Sequence, residues 1–283
     1  MIEFLIIALL QGIFEWLPIS SSGQVMIISL SLFNIPIDAA YSLSIWLHLG
    51  TTFAVIAKFR KDYFKITKAF FPKRFTSDEN NIKKRNWLIF STIGTAITAL
   101  PLYFLFRIII IGGFTADQGD ILTLIISGLL IITGIVLLSL KKIYGTKLID
   151  TSLNKEIMRN SFISGLFQGF SILPGISRSG FTISAILLEK YEQNEALKLS
   201  FLMSVPVALA SIIVDVLFGG GSIFGVLDPL TILIITVIGF IIGYLSMEVL
   251  LRISKKIQFG YFCILYGIIA WLIILPVLIF TSI

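Results

Sequence analysis

The chain has 283 residues, of which 57% are hydrophobic and only 13% charged, with a net charge of +6. A soluble domain carries about 25% charged residues, so the composition excludes a soluble globular protein and points to the membrane. One cysteine, Cys263, and one histidine, His48, exclude a disulfide framework and a multi-histidine zinc site.

A spanning helix needs about 20 mostly apolar residues, and the first apolar region, residues 2–32, fails that test. It is cut near its middle by QGIFEWLPISSSGQ (11–24), with Pro18 at the break. Each half is too short to cross, which predicts a re-entrant helix–loop–helix hairpin. Irregular backbone at membrane depth is tolerated only where protein or a wet cavity covers it. The N-terminus shows neither a basic n-region nor a small-residue cleavage site, so it is not read as a removed signal. Spans are then predicted over about 38–58, 88–111 and 121–140. Between the first two lies FRKDYFKITKAFFPKRFTSDENNIKKRNW (59–87), expected to lie along anionic headgroups rather than on nucleic acid. A second interrupted region, 160–189, carries QGFSILPGISRSGF (168–181) with Pro174 at its break, predicting a second hairpin. Three more spans follow, over about 199–217, 229–251 and 260–281.

The basic residues test this topology. If both hairpins exit where they entered, twenty of the 22 Lys and Arg fall on one side, leaving only Arg107 and Arg178. That side is the cytoplasm. Residues 112–120, 218–228 and both termini then lie outside. Asp215, Asp228 and Glu248 stand near span ends and are expected to face water. The fold class is therefore an all-α integral membrane protein of two inverted halves, about 1–145 and 155–283, each one hairpin followed by three spans. SIWLHLG at 44–50 also matches SFLMSVP at 200–206. In such inverted repeats the site sits where the broken helices meet.

The repeated motif suits an anion. Serine is a preferred N-cap, so each returning half-helix should start at its serine cluster and offer free N–H groups to phosphate. Ser22, Ser177 and Ser179 would add hydroxyls, and the planar fork of Arg178 can hold phosphate oxygens in pairs. Gln11 and Glu15 are four residues apart and share one helix face. Glu15, about 20 Å along from residue 2 at ~1.5 Å per residue, needs a cation. Arg178 in a plain ion pair is one candidate, and a divalent ion bridging to phosphate is the other. His48 lies roughly 15 Å into its span by the same rise, level with the hairpin tips. It is either a satisfied core residue or a functional group of the site.

These residues resemble the undecaprenyl-pyrophosphate phosphatases of the BacA/UppP type over essentially the whole chain. The family's motifs are (Glu/Gln)-x-x-x-Glu followed by L-P-x-S-S-x-G, and P-G-x-S-R-S-x-x-T. Here they read QGIFEWLPISSSG (11–23) and PGISRSGFT (174–182). The resemblance implies six spans plus two re-entrant hairpins, and removal of the terminal phosphate from a polyprenyl pyrophosphate with Mg²⁺ or Ca²⁺. It assigns Gln11 and Glu15 to metal and catalysis and Ser21 to the nucleophile. Pro174, Gly175, Ser177, Arg178, Ser179 and Thr182 fall on its phosphate-binding signature. Many members follow the first motif with Gly-His, whereas Gly23 here precedes Gln24, and an amide cannot act as a general base. Either another residue supplies that function, or the enzyme is slow, or it does different work; His48 is the candidate to take over part of the proton handling, with Glu15 as its competitor. The expected partners are the lipid pyrophosphate and the plasma membrane, with a homodimer as a candidate assembly and the site opening outward. A polyprenyl-phosphate transporter using the same phosphate site is the alternative.

Overall fold

The computed structural model describes residues 1–17, 19–71, 78–108, 119–139, 145–219, 227–253, 261, 264–265, 267–269 and 271–272. Among them regular structure is helical, apart from one isolated bridge between Lys147 and Tyr191. In chain order the helices are α1 (Ile2–Phe14), α2 (Ser21–Ser31), α3 (Ile37–Trp46), α4 (His48–Lys58), α5 (Arg60–Ala69) and α6 (Glu79–Phe106). There follow α7 (Gly119–Ser139), α8 (Asn154–Gly169), α9 (Arg178–Leu188), α10 (Gln193–Phe218) and α11 (Pro229–Ile253). Pro18, Cys263 and most of the sixth predicted span lie outside the described residues.

Four helices among the described residues are long and apolar enough to cross a membrane: Ile37–Lys58, Glu79–Phe106, Gln193–Phe218 and Pro229–Val249. The first of these joins α3 to α4 through a step at Leu47. The predicted span over 121–140 falls in α7, whose apolar stretch Ile121–Val136 is shorter.

Both interruptions occur where the repeated motif places them. After α1, Glu15 and Trp16 form a turn, and α2 starts at Ser21; α8 tightens into a 3₁₀ turn at Phe170–Ile172 before α9 starts at Arg178. The two returning helices are capped alike. Ser20 Oγ accepts from the Gly23 N–H at 3.3 Å, and Ser177 Oγ accepts from the Gly180 N–H at 3.2 Å. Each cap satisfies one of the orphan donors of a helix start. Ser20 holds a left-handed backbone with φ 55°, a conformation that costs a non-glycine residue roughly 1–3 kcal/mol. Its Oγ also accepts from the Gly175 N–H at 3.0 Å, so the strained residue is where the two loops are tied.

That contact explains two motif glycines. A Cβ on Gly23 would stand 2.8 Å from Gly175 N, and Gly175 itself has φ 102°. The loops approach this closely only because neither residue has a side chain.

Several of the described lysines are paired at one end of the bundle. Lys84 from α6 and Lys198 from α10 both reach Asp62 on α5, at 3.1 and 3.0 Å, while Lys58 pairs with Glu248 at 3.1 Å. Burial pushes the Asp62 carboxyl up, but the two ammonium groups outweigh it and hold it below the usual carboxylate range.

Asp215 corrects the sequence expectation. It is 3% exposed and does not face water. It accepts from Ser42 Oγ on α3 and from Tyr103 OH on α6 at 2.9 Å, and it pairs with Arg107 at 3.4 Å. Asp215 lies one turn inside the end of α10, where a carboxylate is too costly without partners. Asp228 does lie at the surface, where it caps α11 through the Leu230 and Thr231 N–H groups.

Removing one member of a buried charged pair costs about 3 kcal/mol or more. Asp215→Ala is therefore expected to lower the melting temperature of the purified protein in detergent by several degrees. Asp215→Asn, which keeps an oxygen for Tyr103, should lose less. An Asp215→Ala variant melting with the parent contradicts the structural role.

Candidate active site

The two loops enclose the inner end of a cavity of about 210 Å³. Glu15 lies at that end, 4% exposed, in the turn that closes α1. Its carboxylate is the point where the predicted residues converge. Oε1 accepts from the Arg178 guanidinium; Oε2 accepts from Gln11 Nε2 at 2.6 Å and from Ser21 Oγ at 2.7 Å. His48 Nε2 stands 3.5 Å from the same oxygen. The ion pair between Glu15 and Arg178 therefore exists, and the remaining groups are built around it.

Each group is held by its local structure. Gln11 reaches Glu15 because residues four apart share one face of α1. Ser21 is the first residue of α2, and Arg178 the first of α9, so both start from a capped helix end. His48 opens α4, and its Nδ1 lies 2.7 Å from the Ser44 carbonyl oxygen. A carbonyl only accepts, so Nδ1 carries a hydrogen. Nε2 is then the nitrogen free to take a proton, and it faces the site.

Ser22 lines the cavity with its Oγ 3.4 Å from Ser20 Oγ. Ser177 also lines it, while Ser179 donates to the Leu17 carbonyl at 3.2 Å and so ties the second motif to the first loop. Pro174 lines the cavity and Gly175 makes the loop contact. Thr182 is not brought to the cavity. It is fully buried one turn up α9, and its hydroxyl has no partner among the described residues. Gln24 is buried too, and its amide donates to the Ile19 carbonyl at 3.3 Å, bracing the loop.

Sequence reasoning missed Thr133. From the middle of α7 its hydroxyl donates to the Gly175 carbonyl at 3.1 Å and accepts from the Ser177 N–H at 3.3 Å, clamping the second loop. A lone threonine in an apolar span gives no signal of this. Gln168 was also passed over, although the repeat pairs it with Gln11. It is fully buried and lines the cavity, with Oε1 unpartnered among the described residues.

No group of three or more His, Cys, Asp or Glu that could hold a metal occurs among the described residues. The donors on hand are the Glu15 carboxylate and Gln11 Oε1, a buried oxygen with no partner among the described residues. Hard oxygens of this kind suit Mg²⁺ or Ca²⁺, and Mg²⁺ is commonly held by one or two carboxylates plus substrate phosphates. The residues fit a cation shared with a bound phosphate.

Residues 4–272 match the model of the family described as "Bacitracin resistance protein BacA". The chain belongs to the BacA family. The match spans both motifs and the cavity-lining residues. Relatives named undecaprenyl-diphosphatase are similar over nearly their full length. One from Methanothrix thermoacetophila is 37% identical over 273 residues, covering 95% of this chain and 94% of the relative. Another, from Methanococcoides burtonii, is 34% identical and covers 95% and 96%. A third, from Haloarcula marismortui, is 30% identical and covers 93% of each.

Proposed function

We propose that this protein is an integral-membrane phosphatase that removes the terminal phosphate from a polyprenyl pyrophosphate of the undecaprenyl type, recycling the lipid carrier. One observation carries the reading. Glu15, Ser21, His48 and Arg178 meet at the inner end of a cavity whose other walls are largely apolar. A charged head and a long apolar tail call for such a site. The names of the relatives point the same way and favour hydrolysis over lipid transport.

In the proposed reaction the terminal phosphate docks against Arg178 and the N–H groups at the starts of α2 and α9. Ser21 Oγ attacks the phosphorus, the bridging P–O bond breaks, and the polyprenyl monophosphate leaves. The serine proton passes to Glu15 Oε2, to which Ser21 already donates at 2.7 Å, within the range expected of a nucleophile and its base. Water then attacks the phosphoserine and its proton goes to His48 Nε2; the Ser21 Oγ–P bond breaks, Oγ takes back its proton from Glu15, and inorganic phosphate is released. Glu15 and Gln11 Oε1 would hold a divalent cation, which would supply positive charge to offset the pyrophosphate. Thr182 supports the loop from behind rather than touching phosphate. One chain supplies every one of these groups.

The reading extends to topology. The two motif-bearing helix pairs are taken as re-entrant hairpins of an inverted repeat, 1–145 and 155–283, in support of which both carry the same Ser-x-x-Gly cap. The cavity runs from the loops toward Tyr103 and Val214, away from the lysine-rich end. With the basic end in the cytoplasm, the site opens to the outer face of the plasma membrane.

The direct test is release of inorganic phosphate from undecaprenyl pyrophosphate by the purified protein. Arg178→Lys keeps the charge and loses the fork, and is expected to cut turnover by ~10²–10³-fold. Arg178→Ala should fall further, since Glu15 then loses its counter-charge. Near-parental activity in Arg178→Ala rules out the assigned role.

His48→Ala is expected to slow steady-state phosphate release by ~10²-fold or more, the usual worth of a general base. Monophosphate formed in the first turnover should persist, because Glu15 serves that step. Parental steady-state rates make His48 a packing residue.

For orientation, Ser22→Cys in a background with Cys263 replaced should react with a membrane-impermeant thiol reagent added outside. Labelling only from the cytoplasmic side overturns the outward opening.

A further inference from the structure

At about 210 Å³ the cavity is far smaller than a prenyl chain of eleven isoprene units, so the tail of the proposed substrate needs a way out. The wall formed by α6 and α10 has the features of one. Leu100 and Ala210 both line the cavity, yet by helical register both also lie on the outer stripes of their helices. On α6 that stripe continues through Ile93, Ile97 and Phe104, which are 46%, 55% and 39% exposed. On α10 it continues through Ile213 and Leu217, at 58% and 67%. At Leu100 and Ala210 the wall is therefore a single side chain thick.

Small residues line the cavity from both helices, Ala96 and Ala99 on α6 and Ala208 and Ala210 on α10. Its hydroxyls are silent. Thr92 donates back to the Leu88 carbonyl at 2.7 Å and Ser211 to the Ala208 carbonyl at 2.9 Å, so a hydrocarbon passing them displaces no polar contact. The two helices are meanwhile fastened to each other at both ends. At one end Lys84 and Lys198 share Asp62, and at the other Tyr103 and Arg107 hold Asp215. Polar contacts at both ends thus bracket a stretch of the two helices whose cavity-lining residues are mostly alanine.

We propose that the slot between α6 and α10 at Ala99, Leu100 and Ala210 is the subsite through which the prenyl chain passes from the cavity into the lipid. The inference rests on the phosphatase reading and adds to it where the tail runs. Bulk placed in the slot should therefore penalise a long chain more than a short one that coils within the cavity.

The experiment compares kcat/KM for undecaprenyl pyrophosphate and farnesyl pyrophosphate in detergent, for the parent and for Ala99→Leu, Ala99→Trp, Ala210→Leu and Ala210→Trp. The long-to-short ratio is expected to fall with added volume, by about tenfold for tryptophan, as the loss of about two buried methylene groups would give. The leucine variants carry the test if a tryptophan variant fails to fold. Ile97→Trp, on the outer stripe of α6 but off the cavity wall, should keep the parental ratio. A ratio unchanged across the series, or lowered equally by Ile97→Trp, overturns the slot. A parent that hydrolyses neither substrate instead overturns the phosphatase reading.

Discussion

A carboxylate at the depth of Glu15 has to be neutralised, and the rest of the structure is arranged so that Arg178 does it. The partner comes from 163 residues further along the chain. Neither charge is stable in an apolar bundle without the other. Joining them therefore fixes where the two interrupted helices must meet. Gln11 and Ser21 donate to the other carboxylate oxygen and use the remaining lone-pair directions of an anion that is already held, with His48 Nε2 standing 3.5 Å away. An ion pair that locks two loops together and a catalytic site are often treated as rival readings of such residues. Here the first would supply the geometry for the second, because a carboxylate fixed by Arg178 holds the oxygen to which Ser21 donates, the proton acceptor of the proposed mechanism.

The loops themselves are built from weak pieces that agree. Two serine caps, one strained Ser20, one glycine packed on another and the clamp from Thr133 all act within a few residues of the ion pair. None would hold irregular backbone inside a bundle by itself. Together they pair several N–H and C=O groups of the two loops, as irregular backbone needs in order to persist away from water. The large side chains sit behind them. Trp16 packs edge-on to Phe201 and donates to the Gly243 carbonyl at 2.7 Å, which seats the turn carrying Glu15 against α10 and α11.

Much of this was legible in the sequence because the motif is written twice. The repeated Gln-Gly, Leu-Pro and serine cluster located both interruptions, and the opposite charges of Glu15 and Arg178 implied that they meet. Counting residues along a span was enough to bring His48 level with the loops. The same counting failed for Asp215. Distance from a span end says how deep a residue lies along the helix and nothing of which neighbours surround it; Ser42 and Tyr103 come from helices far away in the chain. Thr133 was invisible for a related reason, since a hydroxyl in an apolar helix usually bonds to its own backbone. Thr182 shows the converse. It falls in a motif, yet its place on the buried face of α9 turns it away from the cavity, and a linear pattern carries no information on facing.

The charge count at the inner end bears on how a cation would enter. The first motif admits Glu or Gln at its opening position, and this chain has Gln11. Glu15 and Arg178 therefore balance one against one, and the resting site has no excess negative charge with which to attract a divalent ion. Under the proposed mechanism that excess would arrive with the pyrophosphate. A phosphate competing for the guanidinium would partly release Glu15, beside which lies the Gln11 oxygen that has no partner among the described residues. Substrate and cation would then bind as a unit. The neutrality of the empty pair is what allows a charged site to wait deep in an apolar bundle.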